Sequence, residues 1–359
     1  MSTERPHLGS QTRESLQRWA LAQGASPAAA RALAHFLVAR HAGRSCGALP
    51  SRRLLQAAER TFGAEIPEAT PVEDPDGTIR FAVRLEDGAL VEAVAIPHPG
   101  RTTVCLSTQA GCARGCVFCE TGRLGLSRNL AAHEITGQFA AVAAHLRSLG
   151  RPAPTNVVFM GMGEPLDNLG AVLAAADVLS DDAGFRVPPR RITLSTVGVV
   201  PKMYAFYERG RYRLAVSLHA ANDEERQALL PAARIWNLAA LREAIAASPE
   251  TVFLQWTMIE GKNDTPRHLR ELLTFCEGLD VRVNLIPLNP GPEEALRAPP
   301  MEKIRAFQKG LRDAGVRALV RMPHGQGIGG ACGQLAGALR DDPTRKRRLP
   351  VVGRARHVG

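Results

Sequence analysis

The sequence lacks any long hydrophobic run: no apolar stretch in its 359 residues approaches the ~20 residues that span a membrane. The first residues, Met-Ser-Thr-Glu-Arg-Pro-His, also lack the apolar core of an export signal. Seven cysteines, three of them clustered, suit a reducing cytosol better than a disulfide framework. These absences exclude a membrane partner and predict a cytoplasmic protein.

Lysine is scarce as well, with 5 lysines against 40 arginines and a net charge of +10. A basic protein favours a polyanionic partner such as RNA, and arginine suits bidentate phosphate contacts. Genome composition can produce the same ratio, so charge alone does not identify the partner. The composition is otherwise ordinary, with 45% hydrophobic and 22% charged residues, and can bury a sizeable core.

Three cysteines lie close together in the pattern Cys112-x-x-x-Cys116-x-x-Cys119. Iron–sulfur clusters are normally held by four cysteines, so three thiolates can hold three irons of a 4Fe–4S cluster and leave one iron open. An open iron can chelate the amino and carboxylate groups of S-adenosylmethionine (SAM) and pass it the electron that cleaves its sulfonium. The triplet therefore predicts a radical SAM enzyme, whose cofactors carry the radical chemistry while the protein orients them.

The alternative for this triplet is a zinc site, because Cys-x-x-Cys is also a zinc-binding pattern. Structural zinc usually takes two separated ligand pairs. No second Cys/His pair of suitable spacing follows, and Cys46 and Cys276 are isolated. The spacing therefore favours the iron–sulfur cluster.

The N-terminal part of the chain is predicted to be helical and the rest to alternate between strands and helices. Residues 1–70 predict a small helical accessory domain, a candidate RNA contact, which a proline-rich link over 66–71 ends. A β-hairpin follows within 71–100, with strands over 78–85 and 90–96. A basic tail over 341–359 is predicted to be disordered; it could touch RNA phosphates or remain solvated.

Residues 101–340 alternate short apolar runs with amphipathic stretches such as 132–149 and 266–276. Candidate strands lie over 103–107, 156–160, 191–195, 214–218, 252–258, 282–286 and 317–321. This alternation implies parallel strands with crossover helices, and about six such units predict an α/β fold of the incomplete (β/α)6 barrel type. Functional loops of such a barrel follow the C-terminal strand ends, where the cysteine triplet lies.

Two glycine-rich segments carry further candidate residues. Gly161-Met-Gly163-Glu164-Pro165 follows the second core strand, where glycine lets the backbone approach a ligand and Glu164 could grip an ammonium group. It looks like the element with which radical SAM proteins hold the SAM amino group. The segment 325–335 contains Cys332 and is expected to be exposed and mobile. Cys105 lies inside the first core strand, where a free cysteine is usually a small buried apolar residue.

From about residue 76 to residue 340 the chain resembles the RlmN/Cfr family of radical SAM RNA methyltransferases. The ordered matches include Cys105-Leu-Ser-Thr-Gln-Ala-Gly-Cys112, Arg128-Asn129-Leu130, the Gly161–Pro165 segment, Ser217-Leu218-His219-Ala220, Asn263-Asp264 and Ala331-Cys332-Gly333-Gln334-Leu335. The chain departs from the family pattern at 327–330, where an aspartate and an alanine are usual, and after Pro231, where an asparagine is usual. Residues 1–70 match only loosely.

The resemblance implies a mechanism in which Cys332 takes a methyl group from one SAM and a second SAM supplies a 5′-deoxyadenosyl radical. The methylene radical on Cys332 then adds to C2 or C8 of adenosine, and Cys105 releases the product by forming a transient disulfide with Cys332. Glu92 matches the family's proposed proton acceptor; without the resemblance it would be an ordinary exposed glutamate at a strand end. The implied cluster ligands are Cys112, Cys116 and Cys119, and the implied SAM contacts are Gly163, Glu164, Ser195, Ser217, Leu218, His219 and Asn289.

The implied substrate is structured RNA, namely 23S ribosomal RNA and in addition transfer RNA, with a flavodoxin-type electron donor and a monomeric enzyme. Two alternatives stay open. One is a diverged radical SAM enzyme with a different substrate, which the altered loop before Cys332 motivates. The other is a non-catalytic, metal-stabilised RNA-binding protein, which would have no use for Cys105, Cys332 and Glu92. The choice between C2 and C8 also stays open.

Overall fold

The computed structural model describes residues 5–46, 49–291 and 295–336, so the basic tail predicted over 341–359 lies outside the described residues. The strands are β1 Glu68–Glu73, β2 Ile79–Arg84, β3 Leu90–His98, β4 Arg101–Cys105, β5 Gln109–Cys112, β6 Gly125–Asn129, β7 Asn156–Phe159, β8 Ile192–Thr196, β9 Arg213–Ser217, β10 Val252–Met258, β11 Val281–Pro287 and β12 Arg317–Val320. The helices are α1 Arg13–Ala22, α2 Pro27–His41, α3 Arg52–Thr61, α4 Glu120–Arg123, α5 Ala132–Ser148, α6 Leu169–Ser180, α7 Val200–Tyr207, α8 Asp223–Leu229, α9 Leu238–Ala246, α10 Pro266–Cys276 and α11 Met301–Asp313.

One mixed sheet of ten strands forms the centre of the fold, in the order β1-β2-β3-β4-β7-β8-β9-β10-β11-β12. From β4 to β12 neighbouring strands are parallel, and helices connect them as crossovers. Central residues such as Trp256 and Leu285 are fully buried, because helices cover the sheet. The predicted α/β fold with an incomplete barrel is confirmed, and each predicted core strand ends within two residues of the observed one.

The predicted hairpin strands over 78–85 and 90–96 are confirmed as β2 and β3, whereas the segment before them differs from the prediction. The segment 66–71, expected to be a link, enters β1, an edge strand antiparallel to β2. Pro71 is tolerated there because an edge strand does not need every N–H for pairing. The hairpin strand β3 pairs with β4, with Val94 opposite Cys105, so the hairpin continues the core sheet instead of forming a separate linker.

The small sheet of β5 and β6 was not predicted from the sequence. Its antiparallel pairing sets Cys112 opposite Gly125 and closes the chain around the cysteine triplet. The pairing is irregular between Ala110 and Gly111, where the register shifts. Short, irregular strands of this kind leave little hydrophobic alternation in the sequence.

The N-terminal helices pack around a hydrophobic cluster of their own, which includes Leu16, Leu33 and Leu37. This accessory region contacts the core through Thr136, whose hydroxyl donates to the Gly9 carbonyl at 2.8 Å. Within the described residues, no helix is both long and apolar enough to cross a membrane.

Candidate active site

A cavity of about 160 Å³ opens at the C-terminal edge of the parallel strands. Its walls come from five consecutive strands, β7 to β11, together with the cysteine triplet and the segment that carries Cys332. Among the residues predicted from the sequence, the cavity is lined by Cys116, Cys119, Gly163, Glu164, Ser195, Ser217, His219, Asn289 and Cys332. These residues meet at the edge where the barrel rule expects functional loops, although they lie far apart in the chain.

The three thiols of the triplet are close enough to interact, and burial raises the pKa of Cys112 to about 12. Burial and the neighbouring thiols of Cys119 and Cys112 also raise the pKa of Cys116, and burial raises that of Cys119. Without metal these groups are therefore neutral thiols, and binding of a metal would release their protons. The Arg114 amide donates to the Cys112 sulfur at 3.5 Å, a contact typical of cluster environments.

Three cysteine thiols are the donor set expected of an iron–sulfur cluster, in which each sulfur binds a different iron. Among the described residues, Glu225, His268 and Glu271 are the group whose potential ligand atoms already lie within 4.8 Å of one another.

The segment after β7 presents a buried carboxyl group beside the thiols. Gly163 has a φ of +103°, and a Cβ there would lie 2.6 Å from the Gln109 Cβ, so only glycine fits. Glu164 is 2% exposed and accepts hydrogen bonds from the amides of Leu166 at 3.0 Å and Val197 at 2.9 Å. Burial nevertheless raises the pKa of Glu164 to about 7. Among the described residues Glu164 forms no ion pair, and a buried carboxyl group of this kind is suited to bind an ammonium group.

His219 is held as a neutral ring in the cavity wall. The Thr257 amide donates to its Nδ1 at 2.9 Å, so the ring carries its proton on Nε2. Burial lowers the pKa of His219 to about 3, and the ring packs edge-to-face on Phe118, with 5.0 Å between the ring centroids.

The neighbouring Leu218, predicted as a SAM contact, has a fully buried side chain and does not line the cavity. Its backbone amide donates a hydrogen bond to the Gln255 carbonyl.

Cys332 is an exposed residue with a free thiol that lines the cavity, and burial of this thiol together with the nearby Cys119 raises its pKa. Its segment is tethered: the Asn289 amide donates to the Cys332 carbonyl at 2.9 Å and accepts from Gln326 at 2.8 Å. In addition, the backbone amide of Glu120 donates a hydrogen bond to the Gly333 carbonyl at 2.8 Å. The expectation of exposure is correct for Cys332, and the segment that was expected to be mobile makes hydrogen bonds along its length.

Cys105 lies behind the cavity at the end of β4, where it is buried and does not line the opening. Burial and the neighbouring Cys332 thiol both raise the pKa of Cys105, so the two sulfurs are electrostatic neighbours. All seven cysteines are free thiols.

The structure buries Glu92, so the interpretation of this residue as an ordinary exposed glutamate at a strand end is wrong. It is fully buried within β3, where Arg80 binds its carboxylate. The same carboxylate accepts the Ala336 amide, four residues after Cys332. Glu92 therefore lies beneath the Cys332 segment and outside the cavity lining.

Gln109 was not predicted from the sequence as a site residue, although it lies within the motif from Cys105 to Cys112. Its side chain accepts the Glu164 amide at 2.9 Å and donates to Asn129 at 2.7 Å. It thereby joins the sheet of β5 and β6 to the Glu164 segment. Its position three residues before Cys112 was the available signal.

Comparison with known proteins agrees with this geometry. Residues 106–275 match the model of the Radical SAM superfamily. The chain is 43% identical over 307 residues to a dual-specificity RNA methyltransferase RlmN of Halorhodospira halophila, covering 84% of this chain and 85% of that one. It is 38% identical over 365 residues to the RlmN of an Anaeromyxobacter species, covering 97% of each. A crystal structure of a radical SAM methyltransferase from Sphaerobacter thermophilus matches with a TM-score of 0.81 and 37% identity, over 92% of this chain and 99% of that one. The chain belongs to the RlmN family of radical SAM RNA methyltransferases.

Proposed function

We propose that this protein methylates an aromatic carbon of adenosine in RNA, with Cys332 as the methyl carrier and Cys105 as the resolving thiol. The observation that carries the proposal is the placement of Cys332 in one cavity with Cys116, Cys119 and Glu164, while Cys105 is buried behind that cavity at the end of β4. Family membership implies a 4Fe–4S cluster and SAM. Cys112, Cys116 and Cys119 would hold three irons, and the bound cofactors would supply both the methyl group and the radical.

The residues around the cavity have separate roles in this proposal. Glu164 binds the SAM amino group, and the glycine conformation at Gly163 lets the backbone approach the same group. Ser195, Ser217, His219 and Asn289 are proposed to complete the SAM site from β8, β9 and β11. Leu218 could contribute through its backbone alone, because its side chain is buried in the core.

Cys332 acts as a nucleophile once its proton is lost, because a thiolate is intrinsically reactive. After the carbon is attached to the base, Cys105 attacks the Cys332 sulfur. The S–S bond forms as the bond from sulfur to the product carbon breaks, and the carbon keeps the electron pair and takes up a proton to become the methyl group. A thiol reductant later restores both thiols. Glu92, bound to Arg80, is proposed to accept a proton released from the base.

The test uses Cys105→Ala protein expressed with its RNA. Without the resolving thiol we expect RNA fragments to remain covalently attached to the peptide that contains Cys332. Nucleoside mass spectrometry of 23S ribosomal RNA and transfer RNA from cells with the unaltered protein should reveal methyladenosine and distinguish C2 from C8. Absence of both the adduct and methyladenosine, in a protein that cleaves SAM, would favour a diverged radical SAM enzyme; absence of iron would favour an RNA-binding module.

The remaining expectations concern the setting of the reaction. We propose a flavodoxin-type electron donor and a monomeric enzyme that acts in the cytoplasm on structured RNA. Dependence of anaerobic SAM cleavage on added reduced flavodoxin tests the donor, and sedimentation velocity tests the oligomeric state.

A further inference from the structure

Arg226 is a buried arginine with no role in the proposed mechanism. It lies on α8 and is 1% exposed, although arginine is rarely buried without an ionic partner. Its Nη2 donates to the carbonyls of Val197 at 2.6 Å and Ser217 at 3.3 Å, while its Nε is buried without a partner. Within the described part of the chain, Arg226 forms no ion pair with a carboxylate.

The two carbonyls that Arg226 binds belong to the wall of the cavity. Val197 follows β8 and Ser217 ends β9, and both residues line the opening. The Val197 amide in turn donates to the Glu164 carboxylate at 2.9 Å. One guanidinium therefore joins two neighbouring strand ends and, through Val197, the carboxyl group that faces the thiols.

Arg226 also lies behind the cysteine triplet. One turn later on the same helix, the Leu229 carbonyl accepts the Val117 amide at 3.1 Å, and Leu229 packs in a hydrophobic cluster with Cys116 and Phe118. The charge of Arg226 acts on the Cys116 sulfur. Arg114, which acts on Cys112, is paired with Asp167, whereas Arg226 is a buried cation beside the thiols and Glu164.

We propose that Arg226 is the counter-charge of the active site. It is a positioning residue that holds the β8 and β9 ends around Glu164 and makes the cluster held by Cys112, Cys116 and Cys119 easier to reduce. The physical reason is that reduction adds negative charge in a low-dielectric environment, where a fixed cation stabilises the reduced state. This inference rests on the cluster of the proposed function and not on the methyl transfer or the RNA substrate.

The test is an anaerobic redox titration of the cluster-loaded protein without SAM, followed by electron paramagnetic resonance. In Arg226→Gln protein we expect the ratio of reduced to oxidised cluster at a fixed potential to fall about tenfold, which equals about 59 mV for a one-electron couple. Arg242→Gln is the matched control, because Arg242 also donates to two backbone carbonyls, of Phe275 and Glu277, but does not line the cavity. We expect its potential to equal that of the unaltered protein.

Arg226→Lys makes the test independent of whether the glutamine variant folds. Burial lowers the pKa of a lysine, so this variant should lose its positive charge as the pH rises. Its reduction potential should then become more negative with rising pH relative to that of the unaltered protein, whose arginine stays charged. Equal potentials for Arg226→Gln and the unaltered protein would overturn the proposal and leave Arg226 with a structural role only. A potential of Arg226→Lys that differs from that of the unaltered protein at low pH, where the lysine is charged, would overturn it as well. If the protein holds a cluster but does not transfer a methyl group, the reduction potentials can still be measured and the role of Arg226 can still be tested. If the protein holds no iron, the cluster of the proposed function is refuted.

Discussion

At the scale of single residues, the site depends on close backbone approaches and on buried ionisable groups that are hydrogen-bonded to the backbone. Gly163 and Glu164 illustrate both, since one has space for no side chain and the other is a carboxyl group in a pocket of low polarity. The sequence indicated these two residues by their position after a strand. It did not indicate Arg226, because a single arginine on a polar helix is usually exposed.

Gly163→Ala should disrupt the SAM site. An added Cβ meets the Gln109 side chain at 2.6 Å, and the φ of +103° is strained for alanine. We expect the affinity for SAM to fall at least about tenfold and the thermal midpoint to fall with it. Gly170→Ala is the control, because nothing lies within 4 Å of its added Cβ at the start of α6. The control should be neutral or raise the free energy of unfolding by up to about 1 kcal/mol; equal behaviour of the two variants would refute the packing argument.

Glu164→Gln should weaken SAM binding while it preserves the shape of the side chain. A hydrogen bond to a charged group contributes about 1.5–3 kcal/mol, so we expect the dissociation constant to rise about 10- to 100-fold in anaerobic calorimetry. Glu224→Gln, on the exposed side of α8, should leave the constant unchanged. An unaltered affinity in Glu164→Gln protein would show that the amino group of SAM is held elsewhere.

At the scale of elements, the parallel strands were predictable and the irregular segments were not. A strand buried on both faces is a continuous apolar run, which is why β10 was predicted from Val252 to Met258 without error. β1 carries a proline at the sheet edge and is mostly exposed, so it has no such pattern. The burial of Glu92 depends on Arg80 and on the Ala336 amide, which lies 244 residues away, and no local pattern reports such a contact.

The unusual glycines before Cys332 also have a structural reason at this scale. Gly327 donates its amide to Asp74 at 3.1 Å, and a Cβ there would lie 2.9 Å from the same carboxylate. The departure from the family pattern therefore accompanies a close contact between this segment and the turn before β2. It gives no separate reason to assume a different substrate.

Asn289→Ala should loosen the Cys332 segment, because Asn289 bonds to both Cys332 and Gln326. We expect faster hydrogen exchange over 326–333 and faster alkylation of Cys332 in the metal-free protein. Gln308→Ala, which removes a hydrogen bond between α11 and the Ala318 carbonyl, should leave exchange in that segment unchanged. Unchanged exchange in both variants would mean that other contacts hold the segment.

At the scale of the whole molecule, the accessory helices and the core meet at a group of histidines. His7 stacks on His133 of α5 at 4.7 Å, and His41 packs against His7 and against Phe185 of the core. Burial lowers the pKa of His41 from 6.5 to about 4, and its Nε2 has no partner. The folded state therefore favours the neutral ring.

This arrangement predicts a pH-dependent stability. A histidine whose pKa is lowered on folding contributes stability that is present above about 6.5 and is lost as the pH falls towards about 4. We expect this loss to reach about 3 kcal/mol and to be reduced in His41→Phe protein, measured by chemical denaturation between these pH values. His35→Gln on the exposed side of the same helix should retain the full pH dependence. An equal pH dependence in all three proteins would contradict the assignment to His41.

The central claim is that Cys332 carries the methyl group. The most direct test is mass spectrometry of the peptide containing Cys332, from protein expressed with its cluster intact and digested under conditions that block free thiols. The account predicts a methyl group on the Cys332 sulfur and unmethylated Cys105. An unmodified Cys332 in a protein that cleaves SAM would contradict it.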